Sequence, residues 1–369
     1  MKVRWRKLLM GLGITGVLAV SAAAVTVSYN APCGTPPPLG AGESMQAITY
    51  RCYGPVEVLK LETIAKPEPA ADEVRVRVHA ASVNPLDKHY MHGTPYILRL
   101  SAGIGAPKVT SMGTDFAGTV DAVGASVTRF KPGDRVFGTA DGAFGEYLVR
   151  RAEGGIAAIP ENVSFEQAAA MPIAAVTALQ ALRDKAGVKP GHKVLINGAS
   201  GGVGSFAVQI AKALGATVTG VCSTRNVELV ESLGADQVID YNVADFTQGD
   251  ERYDVIVDMV GNHSIGTLAS VMVPEGVLVL VGSVEKNRWT AGIDRMVVVA
   301  LASLVNSQRI EGLLASMTPQ DLDAIAQLAN QGQLRAAIDT RYSLAQVPDA
   351  MRHLETGRAR GKIIISIAE

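Results

Sequence analysis

A glycine-rich turn is the part of the sequence whose residue types and spacing point most directly to chemistry. It lies between the apolar run KVLIN at 193–197 and a segment of helical pattern at about 202–214. Glycines at such a turn let the backbone bend tightly and approach a pyrophosphate, and the helix N-terminus offers N–H groups and a partial positive charge. The sequence therefore predicts a dinucleotide-binding turn formed by Gly198, Ser200, Gly201, Gly202, Val203 and Gly204.

The end of the next predicted strand indicates which nucleotide the turn would bind. The strand TVTGVC at 217–222 is followed by Ser223, Thr224 and Arg225. An acidic residue here would hydrogen-bond the ribose hydroxyls of NAD and repel a 2′-phosphate. Arg pairs with phosphate through its planar fork. We therefore predict that Ser223 and Arg225 favour NADP(H); the alternative is that Arg225 only lies at a helix start.

Two kinds of secondary-structure pattern surround these residues. The string VRVRVH from Val74 alternates apolar and polar residues, as a half-buried strand does, and short apolar runs between turn residues follow. From about residue 165, apolar strands alternate with helices, which indicates a parallel sheet covered on both faces. The sequence thus predicts a mostly β domain and a doubly wound α/β domain, with strands at 193–197, 217–222, 253–260 and 276–283 and later helices at 294–306 and 319–331.

The N-terminus has the pattern of a membrane or export segment. Basic residues precede an uncharged stretch of 20 residues from Leu8 to Val27, which would span about 30 Å as a helix. We expect residues 1–30 to be a single-pass membrane anchor, and the alternative is a signal peptide cleaved on export. The Pro- and Gly-rich residues 31–44 are typical of an extended linker.

Composition limits the classes of protein to which the chain can belong. The 369 residues are 48% hydrophobic and 19% charged, which indicates a folded rather than a disordered chain. The formal net charge of -1 provides no basic field for nucleic acid, so no nucleic-acid partner is expected. Cys33, Cys52 and Cys222 are scattered, and they predict neither a disulfide framework nor a CxxC metal site.

Several motifs together carry a family pattern: AASVNPLDKHYMHG at 80–93, GTDFAGTVDAVG at 113–124, KPGDRVFG at 131–138, INGASGGVGSFAVQIAK at 196–212 and GADQVIDY at 234–241. From residue 45 to 369 the chain resembles the zinc-independent quinone oxidoreductase (zeta-crystallin-like) branch of the medium-chain dehydrogenase/reductase superfamily. The resemblance implies a GroES-like catalytic domain at 45–168, a Rossmann nucleotide-binding domain at 169–337 and a C-terminal return to the catalytic domain at 338–369. It also suggests a homodimer formed through the edge strand of the Rossmann sheet.

The same resemblance limits the metal chemistry. Zinc-dependent relatives place a Cys where this chain has Asn84, and Gly-His-Glu where it has Gly113-Thr114-Asp115. We therefore predict no metal site. His89 and His92 are the only residues whose spacing hints at one, and histidines in a loop more often face solvent or form hydrogen bonds. Zinc polarises a simple carbonyl, so a zinc-free enzyme needs an acceptor that delocalises the incoming charge. Quinones and α,β-unsaturated carbonyls do this, and we expect NADPH to reduce them.

Three residues are predicted to act on the substrate. The amide of Asn84 can donate a hydrogen bond to a developing oxyanion, although Asn84 before a proline is also a turn former. Tyr90 and Tyr96 are candidate proton donors or walls for a flat ring. His89 stands where relatives often carry a Tyr, which leaves the proton donor open.

For the cofactor, the resemblance implies contacts from Thr177, Tyr241, Val260 and Gly282. Asp115 and Asp258 are interpreted as structural, and Lys362 as a solvated lysine at the start of a strand. Two alternative functions stay open: a zinc-independent alcohol dehydrogenase, and an NADPH-binding sensor or interaction protein without turnover.

Overall fold

Two large β-sheets and the helices around them form the fold of this computed structural model, which describes residues 24–282, 288–289, 299 and 307–368. A separate antiparallel pair, β1 (Ser44–Thr49) and β2 (Lys60–Ala65), precedes both sheets. The helical pattern expected at 294–306 lies outside the described residues, apart from residue 299.

The first large sheet is formed by strands from residues 73–158 and from residues 338–366. Its longest strand begins with the alternating segment, whose Val74, Val76 and Val78 side chains are fully buried. The sheet order is β14-β15-β3-β4-β5-β7, and β6 pairs with β3. The strands are β3 (Glu73–Val83), β4 (Asp115–Val123), β5 (Arg135–Thr139), β6 (Tyr147–Arg151), β7 (Ile156–Ala158), β14 (Ile338–Ser343) and β15 (Lys362–Ser366).

The C-terminal strand β15 lies antiparallel to β3, with Ile363 opposite Val83. The end of the chain therefore returns to the sheet formed by its beginning. This pairing places Lys362 beside the end of β3, a position that the strand pattern alone did not give. The domain limits named above remain a prediction.

The second large sheet is parallel throughout and has the order β10-β9-β8-β11-β12-β13. This is the doubly wound order, and it confirms the predicted Rossmann architecture. The resemblance suggests a dimer through an edge strand of this sheet, which stays a prediction. The strands are β8 (Lys193–Asn197), β9 (Thr217–Cys222), β10 (Gln237–Asp240), β11 (Tyr253–Asp258), β12 (Met272–Leu280) and β13 (Arg309–Gly312).

Helices connect the strands and cover the parallel sheet. Apolar side chains of the long helix after β8, such as Phe206 and Val208, join the fully buried core of this sheet. The helices are α1 (Pro85–His92), α2 (Phe165–Ala169), α3 (Pro172–Leu179), α4 (Gly202–Ala213), α5 (Val227–Ser232), α6 (Ile265–Ser270), α7 (Pro319–Asn330) and α8 (Val347–Glu355), with short helical turns at Val56–Val58, Tyr96–Leu98, Arg99–Ala102, Gln180–Ala186, Thr224–Asn226, Phe246–Gln248 and Leu344–Gln346.

The expectation of a membrane anchor is corrected by the structure. Residues 1–23, which include most of the uncharged stretch, lie outside the described residues, and residues 24–28 form a short helical turn. Among the described residues, no helix has the length and apolarity needed to cross a bilayer. The prediction of a single-pass membrane protein is therefore wrong.

The segment that follows residue 24 is fixed to Cys52 and Arg99 by specific contacts. Cys33 and Cys52 form a disulfide, which the scattered cysteines did not predict. The Arg99 guanidinium donates hydrogen bonds to the carbonyl oxygens of Tyr29 at 2.8 Å and Val27 at 3.2 Å. The residues expected to form a linker are thus held at one of their positions by a covalent bond.

Candidate functional site

The glycine turn has the geometry that close approach of a phosphate requires. Gly198 has a φ of +90°, a conformation that side chains disfavour. A Cβ at Gly204 would lie 2.1 Å from the carbonyl oxygen of Gly198. Gly201 is the N-cap residue of the 12-residue helix α4 and has no side chain to cap it. The N–H groups of the first turn therefore favour an anionic ligand.

This turn borders a cavity of about 1350 Å³ between the two halves of the molecule. One wall comes from the end of β3 and from α1, including Asn84, Lys88 and His89. The other comes from the carboxyl ends of β8, β9 and β11. The strand order reverses between β8 and β11, and ligands bind doubly wound sheets at such a point.

Nearly all the residues predicted for the cofactor line this cavity. Thr177 is the exception: it is buried in α3, where its hydroxyl donates to the Ile173 carbonyl oxygen at 2.6 Å. Thr177 is not among the described residues that border the cavity. Those that do are Gly198, Ser200, Gly201, Gly202, Val203, Gly204, Ser223, Arg225, Tyr241, Val260 and Gly282.

The end of the cavity beside β9 combines cationic and polar groups. Arg225 donates a hydrogen bond to the Arg358 carbonyl oxygen at 2.6 Å, and both residues line the cavity. Asn226 is 5% exposed, and its Oδ1 atom is buried without a hydrogen-bond partner among the described residues. A buried acceptor without a partner is costly unless a ligand supplies a donor. The Oδ1 atom can accept a hydrogen bond from a ribose hydroxyl, and the glycine turn can bind a pyrophosphate. Both features therefore fit a bound nucleotide.

A buried ionic cluster forms the opposite end, beside Asn84. The Lys362 ammonium donates to Asn84 Oδ1 at 2.5 Å and lies 3.6 Å from Asp115 Oδ2. Lys362 is 3% exposed and Asp115 is 0% exposed, so the lysine is buried and not solvated as predicted. Burial lowers the pKa of Lys362, and the Asp115 carboxylate opposes this effect.

The same contacts fix the side-chain amide of Asn84. Its Nδ2 atom donates to Asp115 Oδ2 at 2.9 Å and to the Ser82 carbonyl oxygen at 3.3 Å. Both amide hydrogens thus have acceptors within the protein, and Asn84 would have to exchange one of them to bind an oxyanion. Its backbone N–H donates to Asp87, whose pKa burial raises to about 7.

The two predicted tyrosines do not share the position of Asn84. Tyr90 packs against the hydrophobic core of the first large sheet. The Tyr96 ring contacts Trp289 edge-on, at 5.0 Å between centroids. Neither is among the described residues that line the cavity, whereas His89 is. Successive residues of a helix are turned by about 100°, which explains why His89 and its neighbour Tyr90 face different surroundings.

The histidines that hinted at a metal have other partners. His92 Nε2 lies 2.6 Å from Glu355 Oε1, and His89 Nδ1 lies 2.8 Å from the Thr94 carbonyl oxygen. Within residues 24–282 and 307–368, no group of three His, Cys, Asp or Glu side chains is placed to hold a metal ion.

The chain is similar to two family models. Residues 70–173 match a model described as "Alcohol dehydrogenase GroES-like domain", and residues 233–365 match one described as "Zinc-binding dehydrogenase".

Similar proteins in other organisms cover most of this chain. It is 31% identical to a chloroplast envelope quinone oxidoreductase homolog of Arabidopsis thaliana, over 88% of this chain and 99% of the relative. It is 35% identical to a 2-methylene-furan-3-one reductase of Solanum lycopersicum, over 87% and 79% of the two chains. The solved structure of a quinone oxidoreductase from Coxiella burnetii covers 88% of this chain and 99% of its own, with 33% identity and a TM-score of 0.77.

Proposed function

We propose that this chain, which belongs to the zinc-independent quinone oxidoreductase branch of the medium-chain dehydrogenase/reductase superfamily, uses NADPH to reduce quinones or α,β-unsaturated carbonyls. It is an oxidoreductase with a nicotinamide cofactor, and the choice of NADPH and of the acceptor is the proposal. The supporting observation is the single cavity that joins the glycine turn and Arg225 to the buried Asn84–Lys362 cluster.

The preference for NADPH rests on the charge beside β9. Arg225 lies in the short turn after this strand and borders the cavity, as do Ser223 and Thr224. A guanidinium and hydroxyl groups attract a 2′-phosphate, whereas the ribose hydroxyls of NADH are usually bound by a carboxylate. We therefore expect tighter binding of NADPH than of NADH.

The class of acceptor follows from the wall opposite the glycine turn. A bound nicotinamide nucleotide supplies a hydride, and the acceptor must then carry negative charge. Neither family motif that zinc-dependent relatives use for metal binding is present, so an acceptor that delocalises charge fits best. The Lys362 Nζ atom lies next to Asn84, and its protonated form favours negative charge on the acceptor electrostatically. Relatives named as quinone oxidoreductases and as a furanone reductase support both acceptor types.

For the proton, His89 is better placed than Tyr90 or Tyr96. A carbonyl oxygen only accepts hydrogen bonds, so the contact with Thr94 places the hydrogen on Nδ1 of His89. Nε2 is then the ring nitrogen whose protonation changes. An imidazole is the side chain that most often acts as a general acid near neutral pH, and His89 lies on the same wall of the cavity as Asn84.

A panel of acceptors tests the function. The full-length protein is mixed with NADPH or NADH and with quinones, enones, enals or simple alcohols, while nucleotide absorbance is recorded. We expect NADPH oxidation with quinones or enones. NADPH binding without oxidation by any acceptor would favour the sensor, and alcohol oxidation would favour the dehydrogenase; either result would refute the proposed function.

A further inference from the structure

Asn226 links the glycine turn to the end of β9. Its Nδ2 atom lies 2.9 Å from Ser200 Oγ and 3.1 Å from Ser223 Oγ. Ser200 belongs to the glycine turn, and Ser223 follows β9. All three residues border the cavity. One buried carboxamide thus contacts the hydroxyl groups on both sides of the predicted nucleotide site.

The side chain of Asn226 does not perform the usual task of its position. Asn226 is the N-cap residue of α5, where an asparagine side chain ordinarily accepts a hydrogen bond from the first helical turn. Here the side chain makes no capping hydrogen bond and is directed to the two serines instead. Helix capping therefore does not explain this residue.

The chemistry of the three groups determines where the serine hydrogens can point. A hydroxyl has one hydrogen and two lone pairs, and an amide N–H can only donate. Because Nδ2 donates to each serine oxygen, each hydroxyl hydrogen remains to be donated to another acceptor. A phosphate group has only acceptors when it is fully ionised, so it matches two hydroxyl donors, and Arg225 borders the same cavity.

We propose that Asn226 is a positioning residue for cofactor specificity: it orients the hydroxyl groups of Ser200 and Ser223 as donors to the 2′-phosphate of NADPH. This inference rests on the proposed use of NADPH. It adds that the selectivity depends on a residue which acts through its neighbours and not through its own charge. The unpartnered Oδ1 atom then remains to accept a hydrogen bond from a ribose hydroxyl.

Nucleotide binding to the full-length protein tests the inference without turnover. Dissociation constants are measured by calorimetry for NADPH, NADH, 2′,5′-ADP and 5′-AMP. Asn226→Ala should weaken NADPH and 2′,5′-ADP by about 10- to 100-fold, as expected for the loss of one or two charge-assisted hydrogen bonds. NADH and 5′-AMP lose only the hydrogen bond from a ribose hydroxyl to Oδ1 and should weaken less, by about three- to fivefold.

Asn226→Asp gives a stronger test, since a carboxylate accepts hydrogen bonds from both serines and turns their lone pairs to the cavity. We expect this variant to prefer NADH over NADPH. The control is Asn162→Ala, which removes an exposed asparagine that donates to the Asn330 carbonyl oxygen outside the cavity. It should leave all four constants unchanged.

A double-mutant comparison separates positioning from support of the fold. In a Ser200→Ala/Ser223→Ala background, adding Asn226→Ala should not change the ratio of the NADPH and NADH constants further. Equal weakening of both nucleotides by Asn226→Ala, or an undiminished effect in the serine-free background, would overturn the inference. Binding is measured without an acceptor, so a wild-type protein that binds NADPH but reduces nothing would refute the proposed function alone.

Discussion

Replacing Lys362 by Met should destabilise the protein strongly, because the change leaves the Asp115 carboxylate without its cation. Asp115 is 0% exposed and lies 3.6 Å from the ammonium. Breaking a buried ion pair by removing one partner typically costs about 3–5 kcal/mol. Total stabilities are about 5–15 kcal/mol, so this is a large fraction. We expect a loss of about 3–5 kcal/mol in the free energy of unfolding, measured in urea by far-UV circular dichroism.

The loss should also depend on pH in a defined direction. Burial raises the pKa of Asp115 and the Lys362 charge lowers it, so Lys362→Met should raise that pKa further. A carboxyl with a raised folded-state pKa is most compatible with the fold when protonated. The stability that this carboxyl contributes is present below its pKa in the unfolded chain. It is lost as the pH rises through its pKa in the folded protein. The deficit of the variant should therefore grow from acidic to neutral pH.

Two further variants make this reasoning refutable. Lys362→Met combined with Asp115→Asn removes both charges and should recover most of the stability lost at neutral pH. Lys189→Met, at an exposed lysine, should cost less than about 1 kcal/mol. If Lys362→Met costs as little as the surface variant, or if its deficit does not change with pH, the buried pair does not have the energetic role described here.

Three other outcomes are expected. Arg225→Ala should raise the KM for NADPH far more than that for NADH in steady-state assays. Equal increases in both KM values would contradict a contact between Arg225 and the 2′-phosphate. His89→Gln should lower kcat by about 10²–10⁴-fold with little change in NADPH affinity, whereas His92→Gln, which alters the contact with Glu355, should stay within about twofold. Replacing Cys33 and Cys52 by Ser should cost about 3 kcal/mol in urea unfolding, since their disulfide closes a loop with a sequence separation of 19; a reducing agent should destabilise the wild type and not the double variant.

The strands of the parallel sheet could be predicted because their signals are local. The bounds of β8 and β9 agree with the apolar runs at 193–197 and 217–222, since turn residues limit both. The glycine turn could be predicted for the same reason: its residues are consecutive, and the strand before it and the helix after it are both visible in the sequence.

The catalytic wall could be predicted only in part, because distant segments form it. Lys362 looks like the exposed start of a strand, and only its pairing beside Val83 shows that it is buried against Asn84. The predicted proton-donor role of Tyr90 depended on a feature that the sequence does not contain. The helical pattern does not show which side of α1 faces the cavity. Spacing alone could not therefore rank His89 above its neighbour.

The segment before β15 fixes the two walls of the cavity relative to each other. Gly361 N–H donates to the Ser200 carbonyl oxygen at 2.9 Å, within the glycine turn. The next residue, Lys362, donates to Asn84 on the opposite wall, and the Arg358 carbonyl oxygen accepts from Arg225. A single stretch of chain thus contacts the predicted phosphate site, the glycine turn and the buried Asn84–Lys362 cluster. Because β15 is also a strand of the catalytic sheet, a change in the spacing between cofactor and acceptor would require these hydrogen bonds to break. The C-terminal return therefore sets the distance between the two walls of the cavity, and with it the proposed spacing of cofactor and acceptor.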